Sequence, residues 1–425
     1  MTTMDGIEKN TFKRIFIENW DSFKEINPRY DSPDYDHTIH KMLDCGNPEK
    51  MGFVQYICLS CGEIRCVAFT CKSCFCLSCA KGYTDRWADF IGRRLLPGVT
   101  YRHVVLTMPE SLHLWFYRNP TLLSPLMQAG HACLRDVLRS CAGVDLDIGN
   151  IIIVQTAGRP GQYNPHLHIL MTAGGIKPNG QWKSFTYIPY ELFHKKWQYH
   201  LLNMLREYVV DPAVEKDIDQ AWKKYPNGFV AFLTKGEVPP EGKGLAHYLA
   251  KYVVSPPISL KRIVSYDGQS VGYWYHDHQT DRIKHEKLPV LQFMGRMVQH
   301  ILPKGFQRIR YYGLHCNVRY KKTREYLAEI LPTNIPEDPN GYYVLPPKPF
   351  AQRFFESFGK DPLLCPKCGD DMILELIYHP DYGCIKEYEL FEEIADEQQC
   401  DQSDGGVSFL QQPSPGIRQV SLPFL

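Results

Sequence analysis

Eight cysteines fall within the thirty-five residues from Cys45 to Cys79, and no other feature narrows so sharply what this chain can fold into. The amino-terminal stretch Met-Thr-Thr-Met-Asp-Gly-Ile-Glu-Lys has no apolar run after a basic one. No uncharged stretch of about eighteen apolar residues follows it, so a soluble, unexported, cytoplasmic protein without membrane contact is expected. Disulfides persist mainly in oxidising compartments, so clustered cysteines in such a protein read as metal ligands. Cys58-x2-Cys61 and Cys76-x2-Cys79, separated by fourteen residues, have nearly the spacing of one four-thiolate zinc ribbon. Cys66 and Cys74 either complete a second site or stay free, and His40 is an alternative donor. Cys365-Pro-Lys-Cys368-Gly369 reads as half of a further zinc knuckle, with His379, Cys384 or Cys400 as completions.

At 425 residues and 44% hydrophobic content the chain can bury a sizeable core, in two or three domains. A net charge of +1 hides strong patterning. Gly295 to Arg324 carries eight Lys or Arg and no acid, interleaved with Phe306, Tyr311, Tyr312 and Tyr320. That combination suits a phosphate backbone and unstacked bases, which makes Lys304, Arg308, Arg310, Arg319, Lys321 and Lys322 candidate nucleic-acid contacts. For Arg308 and Arg310 a solvated surface charge is the competing reading. Glu387 to Asp404 carries eight acids and no base, as a solvated tail would.

Tyr101 to Thr107 reads as a strand, Pro120 to Cys141 as a helix, and Asn150 to Thr156 as a strand rich in β-branched residues. Gly158, Pro160 and Gly161 turn the chain, and Pro165 to Met171 returns as the antiparallel partner. Helices are expected at about 190–208, 213–224 and 244–254, the last stopped by Pro256-Pro257, with a short strand at 229–233. Val271 to Tyr275 and Ile283 to Leu288 look like a hairpin. Thr84 is read as the cap of a helix carrying Trp87, Phe90, Ile91 and Leu95.

In the apolar run Pro165-His-Leu-His-Ile-Leu-Met171, strand alternation projects His166 and His168 to one side, with Cα atoms roughly 6.5 Å apart. Both imidazoles can reach one divalent ion. A His-x-His triplet arises about 0.6 times by chance at this composition, and a second, His276-Asp277-His278, falls in a polar turn. The first differs in its setting, because two imidazoles in an apolar strand require partners. Gln155 or Thr156 falls opposite the pair, and Gln155 has the better donor oxygen. Two imidazoles and one oxygen leave positions for phosphate oxygens and suit Mg²⁺ or Mn²⁺.

Tyr248-Leu-Ala-Lys-Tyr252 places two phenols four residues apart, on one face of a helix within about 6 Å. About one or two such pairs occur by chance with 26 tyrosines, mostly as amphipathic stripes. As nucleophiles, phenols of pKa about 10 need a nearby cation, and Lys251 or the metal would supply it. Tyr248 and Tyr252 would then conserve a phosphodiester bond as a 5′-phosphotyrosine.

Taken together these residues resemble the HUH superfamily of single-strand nucleases, named for histidine, hydrophobe, histidine. More narrowly, the chain resembles the two-tyrosine rolling-circle transposases of the insertion-sequence family numbered ninety-one. The matching elements are the cysteine-rich amino-terminal region, Val105-Leu-Thr-Met-Pro109, Val154-Gln-Thr156, Pro165-His-Leu-His-Ile169, Tyr248 to Ser259 and Leu302-Pro-Lys-Gly-Phe-Gln-Arg-Ile-Arg-Tyr-Tyr-Gly313. They span roughly residues 35 to 325. The resemblance implies an α+β fold with a central antiparallel sheet and flanking helices, palm-like as in HUH nucleases, plus a small zinc-binding domain. It also implies His166 and His168 as ligands of the catalytic ion and Tyr248 and Tyr252 as nucleophiles, and it adds Cys45 and Cys71 to the zinc ligands. Cys66 and Cys74 are additions to the family's pattern.

The expected domains are 1–95 for the zinc module, 96–325 for the nuclease and 326–425 for an appendage. The expected activity is nicking and rejoining of single-stranded DNA at the ends of a mobile element, in the bacterial cytoplasm near the nucleoid, with an oligomer compatible with the reading. A plasmid or phage replication initiator or relaxase would share the chemistry. A zinc-dependent nucleic-acid-binding regulator without catalysis is the rival of another class.

Overall fold

The computed structural model describes residues 10–185, 188–233, 256–277, 280–331, 349–359 and 361–387. The fold is α+β. Its centre is an antiparallel sheet in the order β11-β4-β5-β3-β7. The strands are β3 (Tyr101–Leu106), β4 (Asp147–Ala157), β5 (Tyr163–Ile176), β7 (Ala231–Leu233) and β11 (Ile309–Gly313), and β6 (Trp182–Ser184) pairs with the far end of β5. The long hairpin β4–β5 turns at the expected glycine and proline cluster, where Gly158 N–H donates to the Gln162 carbonyl at 2.8 Å.

Pleating decides which residues face which layer. Leu167, Ile169 and Met171 point with Ile152, Val154, Val104 and Leu106 into a core covered by helices Leu123–Ala142, Tyr190–Tyr208 and Ala213–Lys224. Full burial of each such aliphatic side chain contributes about 1.5–3 kcal/mol. The opposite face carries Tyr101, Ile151, Ile153 and Leu170, packed against Ile91, Leu95, Leu314 and Leu327. That second face also carries His166 and His168.

Helix Thr11–Ile26 buries Phe12, Ile15, Phe16 and Phe23, an apolar stripe that needs its own cover. The cover comes from helix Val290–Val298 and from the small sheet β8 (Ile263–Tyr266), β9 (Ser270–Asp277) and β10 (Arg282–Pro289), through Val271, Tyr273, Phe293 and Met297. Residues expected in the nuclease domain therefore pack on the amino-terminal helices, so the division at residue 95 does not separate two cores.

A third sheet has the order β13-β12-β1-β2, from β1 (Phe53–Cys58), β2 (Ile64–Ala68), β12 (Met372–His379) and β13 (Gly383–Glu387). Val54 lies opposite Ile377 and Cys58 opposite Met372. The expected appendage at 326–425 is thus not separate, since its residues 372–387 complete the sheet begun at residue 53.

Helix Ala80–Arg93 starts directly after Cys79, and Thr84 lies inside it with its hydroxyl donating to the Ala80 carbonyl at 2.8 Å. Thr84 is no cap, because the turn through Cys76 and Cys79 already starts the helix.

Candidate active site and metal centres

The sulfur atoms of Cys45, Cys71, Cys76 and Cys79 all lie within 4.8 Å of one another. Cys45 and Cys79 are 3.4 Å apart, Cys71 and Cys79 3.6 Å. Backbone N–H groups of Cys71 and Ser73 donate to the sulfurs of Cys45 and Cys71 at 3.3 and 3.5 Å, as they do around bound thiolates. Hydrogen bonds from Cys71 and Cys76 lower the Cys45 thiol to about 7, while the same crowding drives Cys71 and Cys76 upward. Four sulfurs this close cannot all ionise without a cation between them. The buried donor set fits four-coordinate structural zinc, which leaves no position open for substrate.

The ribbon expected from Cys58, Cys61, Cys76 and Cys79 does not form. Cys58 and Cys61 converge instead with Cys365 and Cys368. Spacing along the chain could not distinguish these pairings. The usable signal was the shared Cys-x2-Cys-Gly string at Cys58 to Gly62 and Cys365 to Gly369, which Cys76-x2-Cys79 lacks. Of the other donors considered, Cys66 is exposed beside Gln55, Cys74 faces a cleft, and His40 Nδ1 bonds to the Asp36 carbonyl. Cys384 is exposed, His379 bonds to the Asp381 backbone, and Cys400 lies outside the described residues.

On the central sheet, Gln155 lies directly opposite His166, and His168 lies between Ile153 and Val105. Residues directly opposite across an antiparallel ladder share a face, so Gln155, His166 and His168 project together. The Nδ1 of His166 donates to the Asn164 carbonyl at 2.7 Å. This fixes the tautomer that leaves Nε2 with its lone pair, the arrangement of metal-ligating histidines. His168 is 5% exposed, and its Nδ1 lies 3.1 Å from Nε2 of His103 on β3. Burial lowers the pKa of both His166 and His168, keeping each neutral as a ligand must be. His103 escaped sequence reasoning, although the alternation of Tyr101, His103 and Val105 along β3 pointed it to this face.

Beside this face opens a cleft of about 380 Å³, lined by Gln155, Trp87, Phe75, Pro257, Phe306 and Arg308 among others. Tyr248, Lys251 and Tyr252 lie outside the described residues, as does the helix expected at 244–254. The described chain on either side is placed: Leu233 pairs with Val104 on β3, next to the histidine strand, and Pro257 lines the cleft.

Of the basic candidates, Lys304, Lys321 and Lys322 are exposed and Arg308 lines the cleft. Arg310 donates to Ser124 Oγ at 2.6 Å, and Arg319 pairs with Asp147 at 2.6 Å. His276 pairs with Asp281 at 3.2 Å, and His278 lies outside the described residues.

Residues 15–108 match the family model described as "Transposase zinc-binding domain", and residues 149–323 match one described as "Putative transposase". The transposase for insertion sequence element IS801 of Pseudomonas savastanoi pv. phaseolicola is 28% identical over 348 residues, 79% of this chain and 82% of that protein. Both matched segments and this relative are of transposases, and the chain is similar to those of the IS91 type. A second relative of this transposase, from Sinorhizobium fredii and titled "Putative transposase y4qJ", is 26% identical over 336 residues, 75% of this chain and 83% of that protein. No solved structure matches. The zinc-binding match contains Cys45, Cys71, Cys76 and Cys79, whereas Cys365 and Cys368 of the transposase lie beyond both matched segments. Among the described residues no helix is long and apolar enough to cross a membrane.

Proposed function

We propose that this transposase nicks and rejoins single-stranded DNA at the ends of its element by a rolling-circle route, with Tyr248 and Tyr252 as nucleophiles. The phenolic oxygen forms a bond to phosphorus as the bond to the 3′ oxygen breaks. The phenol proton ends on the released 3′-hydroxyl. The phosphodiester is kept as a 5′-phosphotyrosine, so the reverse attack by a 3′-hydroxyl restores DNA without ATP. The second tyrosine lets one site hold one end while cutting another.

His166, His168 and Gln155 would hold Mg²⁺ or Mn²⁺, which supplies Lewis-acid polarisation of the phosphate when bound. Neutral imidazoles and an amide oxygen on one face fit that role. Lys251 assists the phenolate or the phosphate. The cleft beside Gln155, with Trp87 and Phe306 for stacking and Arg308 for phosphate, would take the unpaired strand, with exposed Lys304 between lining residues Pro303 and Gly305. Arg310, held by Ser124 on the other face of the sheet, and Arg319, paired with Asp147 at the far end of β4 and followed by Lys321 and Lys322, lie off this path.

One observation carries this reading: the segment containing the tyrosine pair leaves from β7, one strand from β5 across β3, and returns at Pro257 in the cleft that Gln155 lines. The test is a denaturing gel of the transposase with a single-stranded oligonucleotide from an element end. A metal-dependent covalent adduct is expected, lost in the Tyr248→Phe, Tyr252→Phe double variant. Wild-type protein that forms no adduct on any end sequence would leave only a binding role.

A further inference from the structure

The carboxy-terminal pair Cys365 and Cys368 belongs to neither matched family segment, yet it meets Cys58 and Cys61 with all four sulfurs within 4.8 Å. The two halves are built alike. Gly62 N–H donates to the Cys58 carbonyl at 2.9 Å, and Gly369 N–H donates to the Cys365 carbonyl at 3.0 Å. Cys58 N–H donates to the Glu63 carbonyl at 2.9 Å, and Cys365 N–H to the Asp370 carbonyl at 2.8 Å. Gly62 and Gly369 have φ of +71° and +84°, the left-handed conformation that lets the chain turn back after each cysteine pair, so that Glu63 and Asp370 return to bond the first cysteine's N–H.

The sulfur separations favour a metal. Cys58 and Cys368 are 3.4 Å apart and Cys61 and Cys365 3.6 Å, well beyond a sulfur–sulfur bond and close to the about 3.8 Å edge of a zinc tetrahedron with 2.3 Å bonds. The apolar cluster under this sheet is small: Cys58, Cys365 and Met372 are buried, with Tyr56 and Cys61 packed against them. So little core rarely holds a four-stranded sheet without a staple.

We infer that Cys58, Cys61, Cys365 and Cys368 form a second, split four-thiolate zinc centre that fastens the carboxy-terminal hairpin β12–β13 to β1–β2. Its ligands come in two halves more than three hundred residues apart. All four positions are taken by protein, so its role is structural.

The test is zinc content per chain of the full-length protein, read by elemental analysis. Wild type is expected to carry two ions. The pair variants C58S/C61S and C365S/C368S should each carry one, and the fourfold variant should still carry one, because both pairs serve the same ion. A wild-type value of one overturns the proposal. So does a pair variant that keeps two, or a fourfold variant that loses an ion beyond that lost by either pair. As a check independent of variant folding, cobalt-loaded wild type should show thiolate charge-transfer absorption equivalent to two tetrahedral four-sulfur sites, and absorption equivalent to one overturns it.

Discussion

The His103 and His168 rings lie 6° from parallel and meet edge to edge, Nε2 of the first 3.1 Å from Nδ1 of the second. When His168 donates from Nδ1, Nε2 is the ring atom that keeps a lone pair, so we propose His103 as a positioning residue for that tautomer. His103→Phe keeps the ring and removes the acceptor. It should lower Mn²⁺ affinity about 10–100-fold, with nicking recovered at high metal. Mn²⁺ titration followed by electron paramagnetic resonance reads this directly, and an unchanged midpoint would show that His103 only packs.

Acid should unfold this protein early. Burial lowers His300 and His131 to about 4 and His315 to about 3, from an ordinary value of 6.5. His300 is locked neutral, Nε2–H donating to the Gly161 carbonyl at 3.0 Å and Nδ1 accepting from Thr156 Oγ1 at 3.0 Å. Because these folded-state values are depressed, the stabilisation is complete above pH 6.5. As pH falls from 6.5 towards 4, the unfolded chain takes up protons that the folded chain refuses, and stability is lost. For His300 the loss is on the order of 3 kcal/mol. Urea midpoints at pH 7 and pH 5 should differ clearly, and His300→Gln should reduce the difference; identical midpoints would contradict the assignment.

Phe306→Ala should weaken binding of single-stranded DNA by about 1–3 kcal/mol if a base stacks there. Arg308→Ala should instead weaken all sequences alike and reduce the salt slope by about one unit. Fluorescence anisotropy across a salt series separates the two effects. Full affinity in both variants would move the DNA path away from the cleft.

Cys45, Cys71, Cys76 and Cys79 sit in one apolar cluster with Phe12, Phe16 and Phe75. Loss of zinc from this four-sulfur set should therefore loosen helix Thr11–Ile26 as well as the cysteine loop. In Cys76→Ser, the near-ultraviolet signal of Phe75 and Trp20 and the protease resistance of residues 11–26 should fall together. Persistence of that resistance would mean that the apolar contacts suffice.

Local signals in the sequence were readable where one element decided the outcome. The helices at Tyr190–Tyr208 and Ala213–Lys224 and the β4–β5 hairpin follow from periodicity and turn residues, and Gln155 falls opposite His166 as counting across the turn implied. What stayed hidden depends on pairing at a distance. Nothing near Cys58 announces Cys365, and nothing near Phe16 announces Phe293. His103 is one histidine among sixteen until β3 is laid beside β5. The tyrosine pair falls outside the described residues, and its role as nucleophile is what the adduct experiment reads.

The pairing of β1 with β12 also sets a timetable for synthesis. Val54 meets Ile377, so β1 leaves the ribosome with one edge bare and waits roughly 15 to 60 s at ordinary elongation rates for its neighbour to be made. A message cut short before codon 372 yields a polypeptide with the histidine-bearing central sheet translated and the third sheet open along that edge. Truncated copies of the gene should therefore aggregate rather than act as smaller working enzymes.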